Sequence, residues 1–221
     1  MTSRHRAAVA LALLSLTLPA IASAQGWTTI LDAKATGWRG YQQKTLPDGW
    51  KVIDGALTRV GKAGDIVYGA AQYGDFELEF EFKVQAKGNS GLFYRASEAT
   101  EHIYENAAEF QVLDNVGHPD GRTPLTVAGS DYALYGMPSD AVKPAGEWNQ
   151  GRVVVRGAHV EHWLNGKHIA VELWSPDWEA RVKASKFHEW PSYGRAKQGL
   201  IGLQDHGDWV AFRNIRVKKL G

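Results

Sequence analysis

Two short stretches of the 221-residue chain place proton-handling side chains at spacings that chemistry can use. In Glu109-Phe110-Gln111-Val112-Leu113-Asp114, a strand would point Glu109 and Gln111 to one face and Phe110 and Val112 to the other. Asp114 falls on the wrong face by that count. A one-residue bulge near Leu113, of the kind common beside active sites, would return it to the first two. Two carboxyl groups gathered in this way can act as acid and nucleophile in glycoside cleavage when about 5–5.5 Å separates them, although an aspartate in the last position shortens the reach. In Gly202-Leu203-Gln204-Asp205-His206 the same period puts Gln204 and His206 on one side and Leu203 and Asp205 on the other. A histidine, with an unperturbed pKa of about 6.5, is a natural proton acceptor at neutral pH. His206 also sits in an Asp-His-Gly-Asp turn, where it can instead cap a hairpin. Asn89 and Arg95 share parity on a third stretch, but six residues of strand span roughly 20 Å, so the two do not meet one atom. Arg95 can equally pair with Glu109 as a support.

These residues need strands to hold them, and period two dominates the chain. Phe76 to Val84 alternates apolar and charged residues without a slip, as a strand does when one face lies on a core. Further strand-like stretches are Trp50 to Arg59, Gly91 to Ser97, Glu109 to Leu113, Arg152 to Arg156, Val160 to Leu164, His168 to Leu173, Gly199 to Gln204 and Val210 to Lys218. Arg213-Asn214 interrupts the last of these as a bulge would, and Glu147-Trp148-Asn149 opens a strand. Asn165-Gly166 predicts a two-residue type I′ turn, because both positions need positive φ. That turn sets Leu164 opposite Lys167 and Trp163 opposite His168, and it brings His159, Glu161 and Glu172 to Trp163's side. The face is either a metal-ligating cluster or, by default, the solvated side of an edge hairpin. One helix is predicted over 176–187, with Ser175 as N-cap, Pro176 at N1, acidic Asp177 and Glu179, and an apolar stripe of Trp178, Val182 and Phe187. About ten short strands with one helix, and no linker to divide them, predict an all-β fold: one antiparallel sandwich domain over residues 25–221.

Composition narrows the partners. With 25 Lys+Arg against 24 Asp+Glu, the chain lacks the basic footprint of a phosphate-backbone binder, so no nucleic acid is expected. The absence of cysteine removes disulfides, thiolate metal sites and cysteine nucleophiles. Residues 1–24 read as a secretory signal: Arg4 and Arg6 precede an apolar stretch from Ala7 to Ala22, and Ala22-Ser23-Ala24 suits a peptidase cutting before Gln25. The expectation is an exported protein, periplasmic or secreted, with no second apolar run to insert in a membrane. Nine tryptophans lie between Trp27 and Trp209. Trp27, Trp50 and Trp209 adjoin strand patterns and suit the core. Trp38, Trp148, Trp174, Trp178 and Trp190 fall in or near loops, where an indole can stack on the C–H face of a sugar, and a carbohydrate partner follows.

A series of motifs then falls in a telling order: Trp50-Lys51-Val52-Ile53-Asp54-Gly55, Asn89-Ser90-Gly91 with Arg95, Glu109-x-Gln111-x-x-Asp114, Tyr135-Gly136, Lys143-Pro144-Ala145-Gly146-Glu147-Trp148-Asn149, Leu164-Asn165-Gly166, Gly202-Leu203-Gln204-Asp205-His206-Gly207 and Phe212-Arg213-Asn214-Ile215. Over about residues 27–220 this order resembles the 3-keto-disaccharide hydrolase family, whose fold is similar to that of concanavalin A-like lectins and glucanases, a jelly roll of two sheets. The Glu109 stretch alone also resembles the E-x-D-x-x-E strand of laminarinase-type glycosidases, with Gln and Asp in its last two places. The family resemblance implies action on glycosides already oxidised to a ketone at sugar carbon 3. That ketone acidifies the C2 hydrogen, so a base can form an enolate and the C1 substituent can leave before water adds back. Such a site needs a base, donors for the enolate oxygen and an acid for the leaving oxygen. The resemblance thus implies His206 or Glu109 as the base and Asp114, or the other of that pair, as the acid. Arg95 or Asn89 would meet the enolate, and Gln111, Gln204 and Tyr135 would hold hydroxyls. No cofactor is expected, and tryptophans should wall the cleft beside Glu109 and His206. A non-catalytic carbohydrate-binding module and a retaining glucanase using Glu109 and Asp114 are the alternatives, since one fold serves all three.

Overall fold

The computed structural model describes residues 26–221, so the signal predicted over 1–24 lies outside the described residues. The strands follow as β1 Trp27–Thr29, β2 Trp38–Gly40, β3 Trp50–Ile53, β4 Ala56–Arg59, β5 Ile66–Tyr73, β6 Phe76–Val84, β7 Asn89–Ala96, β8 Ala108–Leu113, β9 Asn149–Arg156, β10 His159–Leu164, β11 Lys167–Glu172, β12 Gly199–Leu203 and β13 Val210–Lys219, with helix α1 Pro176–Ala184 before β12. They form two antiparallel sheets. One runs β11-β10-β9-β6-β13-β4-β3, with β1 paired to β13, and the other runs β2-β5-β12-β7-β8.

β6 shows why the sheets pack. Phe76, Leu78, Phe80, Phe82 and Val84 are buried against the smaller sheet while the residues between them face out. The outward carboxylates are paired with flanking strands: Glu77 with Arg152, Glu79 with Arg216 and Glu81 with Arg213. Tryptophans on this outer surface are covered by cations. Arg213 lies 4.0 Å over Trp148 and Arg216 4.7 Å over Trp27, while Trp163 has Arg152 at 5.3 Å and a His168 ring stacked at 4.1 Å. The hairpin has the predicted register, with Asn165 and Gly166 at φ 48° and 88°. Its polar face is a hydrogen-bonded network in which both His159 ring nitrogens meet carboxylates, of Glu172 and Glu161, and the Trp163 indole donates to Glu161. Among the described residues no cluster of three or more His, Asp or Glu side chains is arranged to hold a metal.

Three differences from the sequence expectation have local causes. The single strand expected over Trp50 to Arg59 is a hairpin, β3–β4, turning at Asp54 and Gly55 with φ 49° and 76°. The helix stops at Ala184, where the Ser185 hydroxyl turns to cap a separate 3-10 turn, Lys186–Glu189, that carries Phe187 inward. β5 escapes the period-two test because its middle, Gly69-Ala70-Ala71, shows no alternation between apolar and polar residues.

Phe110 on β8 locks the sheets together. Its ring meets Phe80 edge-on at 5.2 Å, lies 6.4 Å from Phe82, and packs 5.1 Å from the ring of buried His162. His162 accepts from the Tyr94 hydroxyl at 3.0 Å and donates to the Gly129 carbonyl at 3.2 Å, and burial pushes its pKa down to about 4. Phe110→Ala is expected to cost about 3–5 kcal/mol, measured as a lower denaturant midpoint at unchanged slope.

Candidate active site

The outer face of the five-stranded sheet is built differently from that of its partner. Register places Glu109, Phe93, Gly202 and Val67 in one row across β8, β7, β12 and β5. The next row holds Gln111 and Gly91, then Gln204, whose amide donates to the Gly91 carbonyl at 2.9 Å, then Asp65 before β5. Gly91 is required here because a Cβ would collide with the Glu109 carboxylate, which leans across it. Gly202 similarly makes room for Ile103.

Walls rise on both sides of this floor. On one side the rings of His102 and Tyr104 stack at 5.1 Å. On the other stand His118, Asp120 and Tyr132, whose hydroxyl reaches Asp120 at 3.3 Å. The Lys186 ammonium sits 4.7 Å over the Tyr132 ring and 5.8 Å over that of Tyr104, linking the two. Tyr41, Asp65, Tyr104, Gln204, Asp205 and His206 line a cleft of about 350 Å³; Glu109 leans over Gly91, the cross-strand neighbour of the cleft residue Gln204. A wider groove of about 680 Å³ crosses the larger sheet, but its charges are already paired: Glu79 with Arg216, Glu81 with Arg213 and Arg152 with Glu77.

Electrostatics separate the cleft's carboxyl groups. Glu109 is 5% exposed, and among the described residues no hydrogen-bond donor reaches its carboxylate. Burial pushes its pKa up to about 8; Lys186 opposes the shift, while Asp65, Asp131 and Asp120 add to it. Asp65 is raised to about 6, chiefly by burial, against the Asp205 amide that donates to its Oδ1 at 2.8 Å. Asp205 itself is fully engaged, accepting from Arg59 at 2.7 Å and from the amides of Ala63, Gly64 and Gly207. Around Gly91, Asn89 Oδ1, Gln111 Nε2 and Gln204 Oε1 are buried without a partner, leaving hydrogen-bonding capacity open in the floor.

Of the residues singled out in the sequence, Glu109, Gln111, Gln204 and Asn89 share this face, and His206 lines the cleft from the turn after β12 with its ring 6.3 Å from that of His118. Three lie elsewhere. β7 and β8 pair without a register shift, so the bulge expected at Leu113 is absent; Asp114 Oδ2 and Oδ1 accept from the Lys87 and Val116 amides at 2.7 and 3.1 Å and cap turns. Arg95, at φ 52°, donates to the Gly74 and Gly157 carbonyls and to Asp75 at the far end of β7, and does not pair with Glu109. The Tyr135 hydroxyl donates to Asp177 at 2.7 Å, outside the cleft. Nor do tryptophans line it: Trp38, Trp50 and Trp178 are core, and Trp190 stands behind Tyr104 at 5.5 Å. Sequence reasoning missed Asp65, Tyr104, Tyr132 and Lys186. Asp65 precedes the one long strand without alternation, and the others sit on connecting segments that no periodicity marks.

The fold alone does not set the activity; comparison with known proteins makes the class a glycosidase-like enzyme. Residues 26–218 match the family model described as a 3-keto-alpha-glucoside-1,2-lyase-like domain, and the chain belongs to that family. It is 39% identical to a 3-keto-disaccharide hydrolase of Bacteroides thetaiotaomicron, over 93% of this chain and 82% of that protein. A candidate glycosyl hydrolase of Parabacteroides distasonis has a similar crystal structure, with a TM-score of 0.80 at 31% identity, over 89% of this chain and 95% of that one. A second from the same organism gives 0.69 at 26% identity, over 88% and 99%.

The raised Glu109 pKa has a stability consequence with a definite sign. Between about pH 4.5 and pH 8 the unfolded chain has lost a proton that the native state keeps, so this group's contribution falls as pH rises through that window. Glu109→Gln removes the effect. Its unfolding free energy, relative to the parent, should rise steadily from pH 5 to pH 8, by on the order of 1 kcal/mol per pH unit, read from denaturant unfolding. A pH-independent difference would place the Glu109 carboxyl in water.

Proposed function

We propose that this protein is an exported hydrolase of 3-keto-glycosides, acting through proton abstraction at C2, expulsion of the C1 substituent and addition of water. The single observation that carries the reading is Glu109: a carboxyl group 5% exposed, with no hydrogen-bond donor on it among the described residues, leaning over a glycine. A group of that kind is protonated at neutral pH and suits the delivery of a proton to a leaving glycosidic oxygen. Asn89, Gln111 and Gln204 match the hydroxyls of a sugar, and His206 meets it from the rim. The family description supports the α-configuration at C1 and the ketone at C3. Lys186, whose ammonium lies over the Tyr104 and Tyr132 rings and whose charge is felt at Glu109, offers charge to the oxygen that becomes an enolate.

The retaining-glucanase alternative needs a second carboxylate close to Glu109, and Asp114 is committed to backbone amides. A binding module has no use for a carboxyl whose burial costs stability. Incubating the protein with a 3-keto-α-glucoside and with its unoxidised parent discriminates these readings. Cleavage of the keto sugar alone is expected; cleavage of the parent supports a glucanase, and binding without cleavage of either supports a module. Export predicts that the protein recovered from the periplasm or medium begins at Gln25, as read by intact mass.

A further inference from the structure

We propose that Asp65 is the base that removes the C2 proton and that Glu109 is the acid on the opposite side of the ring. This rests on the keto-glycoside reading above and divides its two proton transfers between two carboxyl groups. The geometry comes from the sheet. Glu109 leans over Gly91, and from Gly91 the row continues through Gln204 to Asp65. Two strand spacings separate Gly91 from Asp65, roughly 10 Å between backbones. That spacing is of the order of a pyranose ring, and Gln204 lies between the two positions.

An α-glucoside in its chair form has the C2 hydrogen and the C1–O1 bond both axial, on opposite faces of the ring. Their elimination therefore needs a base and an acid on opposite faces of the ring, and Asp65 and Glu109 flank Gln204 one on each side, Asp65 from the start of β5 and Glu109 leaning over Gly91 of β7. Asp65 is also built for the task. One oxygen is fixed by the Asp205 amide at 2.8 Å, the residue lines the cleft, and Asp205 is itself anchored by Arg59 and three amides. With its carboxyl near 6 and that of Glu109 near 8, neutral pH finds the first ionised and the second protonated. His206 is less suited, since it lies two residues past Gln204, roughly 7 Å along the chain, and is exposed on a turn.

The proton balance closes. Asp65 takes hydrogen from C2 as a proton, the C–H electrons form the C2–C3 double bond, and the carbonyl pair moves to O3. Collapse of that enolate forms the C1–C2 double bond and breaks C1–O1, and the departing oxygen takes the Glu109 proton. Water then adds at C1, its proton passing to the Glu109 carboxylate, while Asp65 returns its proton to C2. Both carboxyl groups end as they began, and one water is consumed.

The test uses the mature protein, an alkyl 3-keto-α-glucoside, its nitrophenyl counterpart, and deuterium exchange at C2 in heavy water. Asp65→Asn keeps the acceptor for the Asp205 amide, and its folding is checked by thermal unfolding. It should lose C2 exchange and the cleavage of both substrates by about 10²–10⁴-fold. Glu109→Gln should lose cleavage of the alkyl glycoside to a similar degree while keeping C2 exchange, and the nitrophenyl leaving group should restore its cleavage to within about tenfold. Should Asp65→Asn unfold, Asp65→Glu takes its place, with a loss of C2 exchange of at least about tenfold expected. Exchange at the parent rate in either Asp65 variant, or rescue of Asp65→Asn by the nitrophenyl group, overturns the assignment. Parent protein that cleaves neither keto substrate removes the underlying reading and the assignment together.

Discussion

A carboxyl group stays out of water only by keeping its proton or by finding a counter-charge. Glu109 takes the first course, and much of the small sheet is arranged around that fact. Gly91 supplies the space for its side chain, and the β7–β8 register sets the two residues diagonally. Lys186 lowers the pKa but makes no ion pair with Glu109 among the described residues, and so leaves its proton in place at neutral pH. A closer cation would turn a proton donor into half of a salt bridge.

The same strand that presents Glu109 to the cleft presents Phe110 to the core, one residue later and on the other face. Packing and chemistry are therefore tied by the pleat. A slip of one residue in β8 would bury the carboxyl between the sheets and expose the aromatic ring, and the Phe110 contacts with Phe80 and Phe82 resist it.

Much of this could be read in the sequence because period two is a direct physical record of one buried face. The β6 alternation, the Asn165-Gly166 turn, the helix cap at Ser175 and the shared face of Glu109 and Gln111 all follow from local geometry. What stayed hidden depends on distant contacts. Asp114 has the right type and spacing, but the Lys87 amide claims its carboxylate. Arg95 has the right parity, but the Gly74 and Gly157 carbonyls draw it to the far end of the sandwich. The loop tryptophans promised a sugar platform, but Trp38 and Trp178 are core and Trp148 is covered by Lys83 and Arg213 of the larger sheet, an arrangement no spacing rule foretells.

Arg59 belongs to the larger sheet, Asp205 ends a strand of the smaller one, and the Asp205 amide holds Asp65. At the other end, Arg95 of the smaller sheet grips turns that carry Gly74, Asp75 and Gly157. The two layers are thus riveted at both extremities, by one guanidinium from each. A sliding of one layer against the other would strain the Arg59–Asp205 rivet, and through the Asp205 amide that strain reaches Asp65 in the cleft.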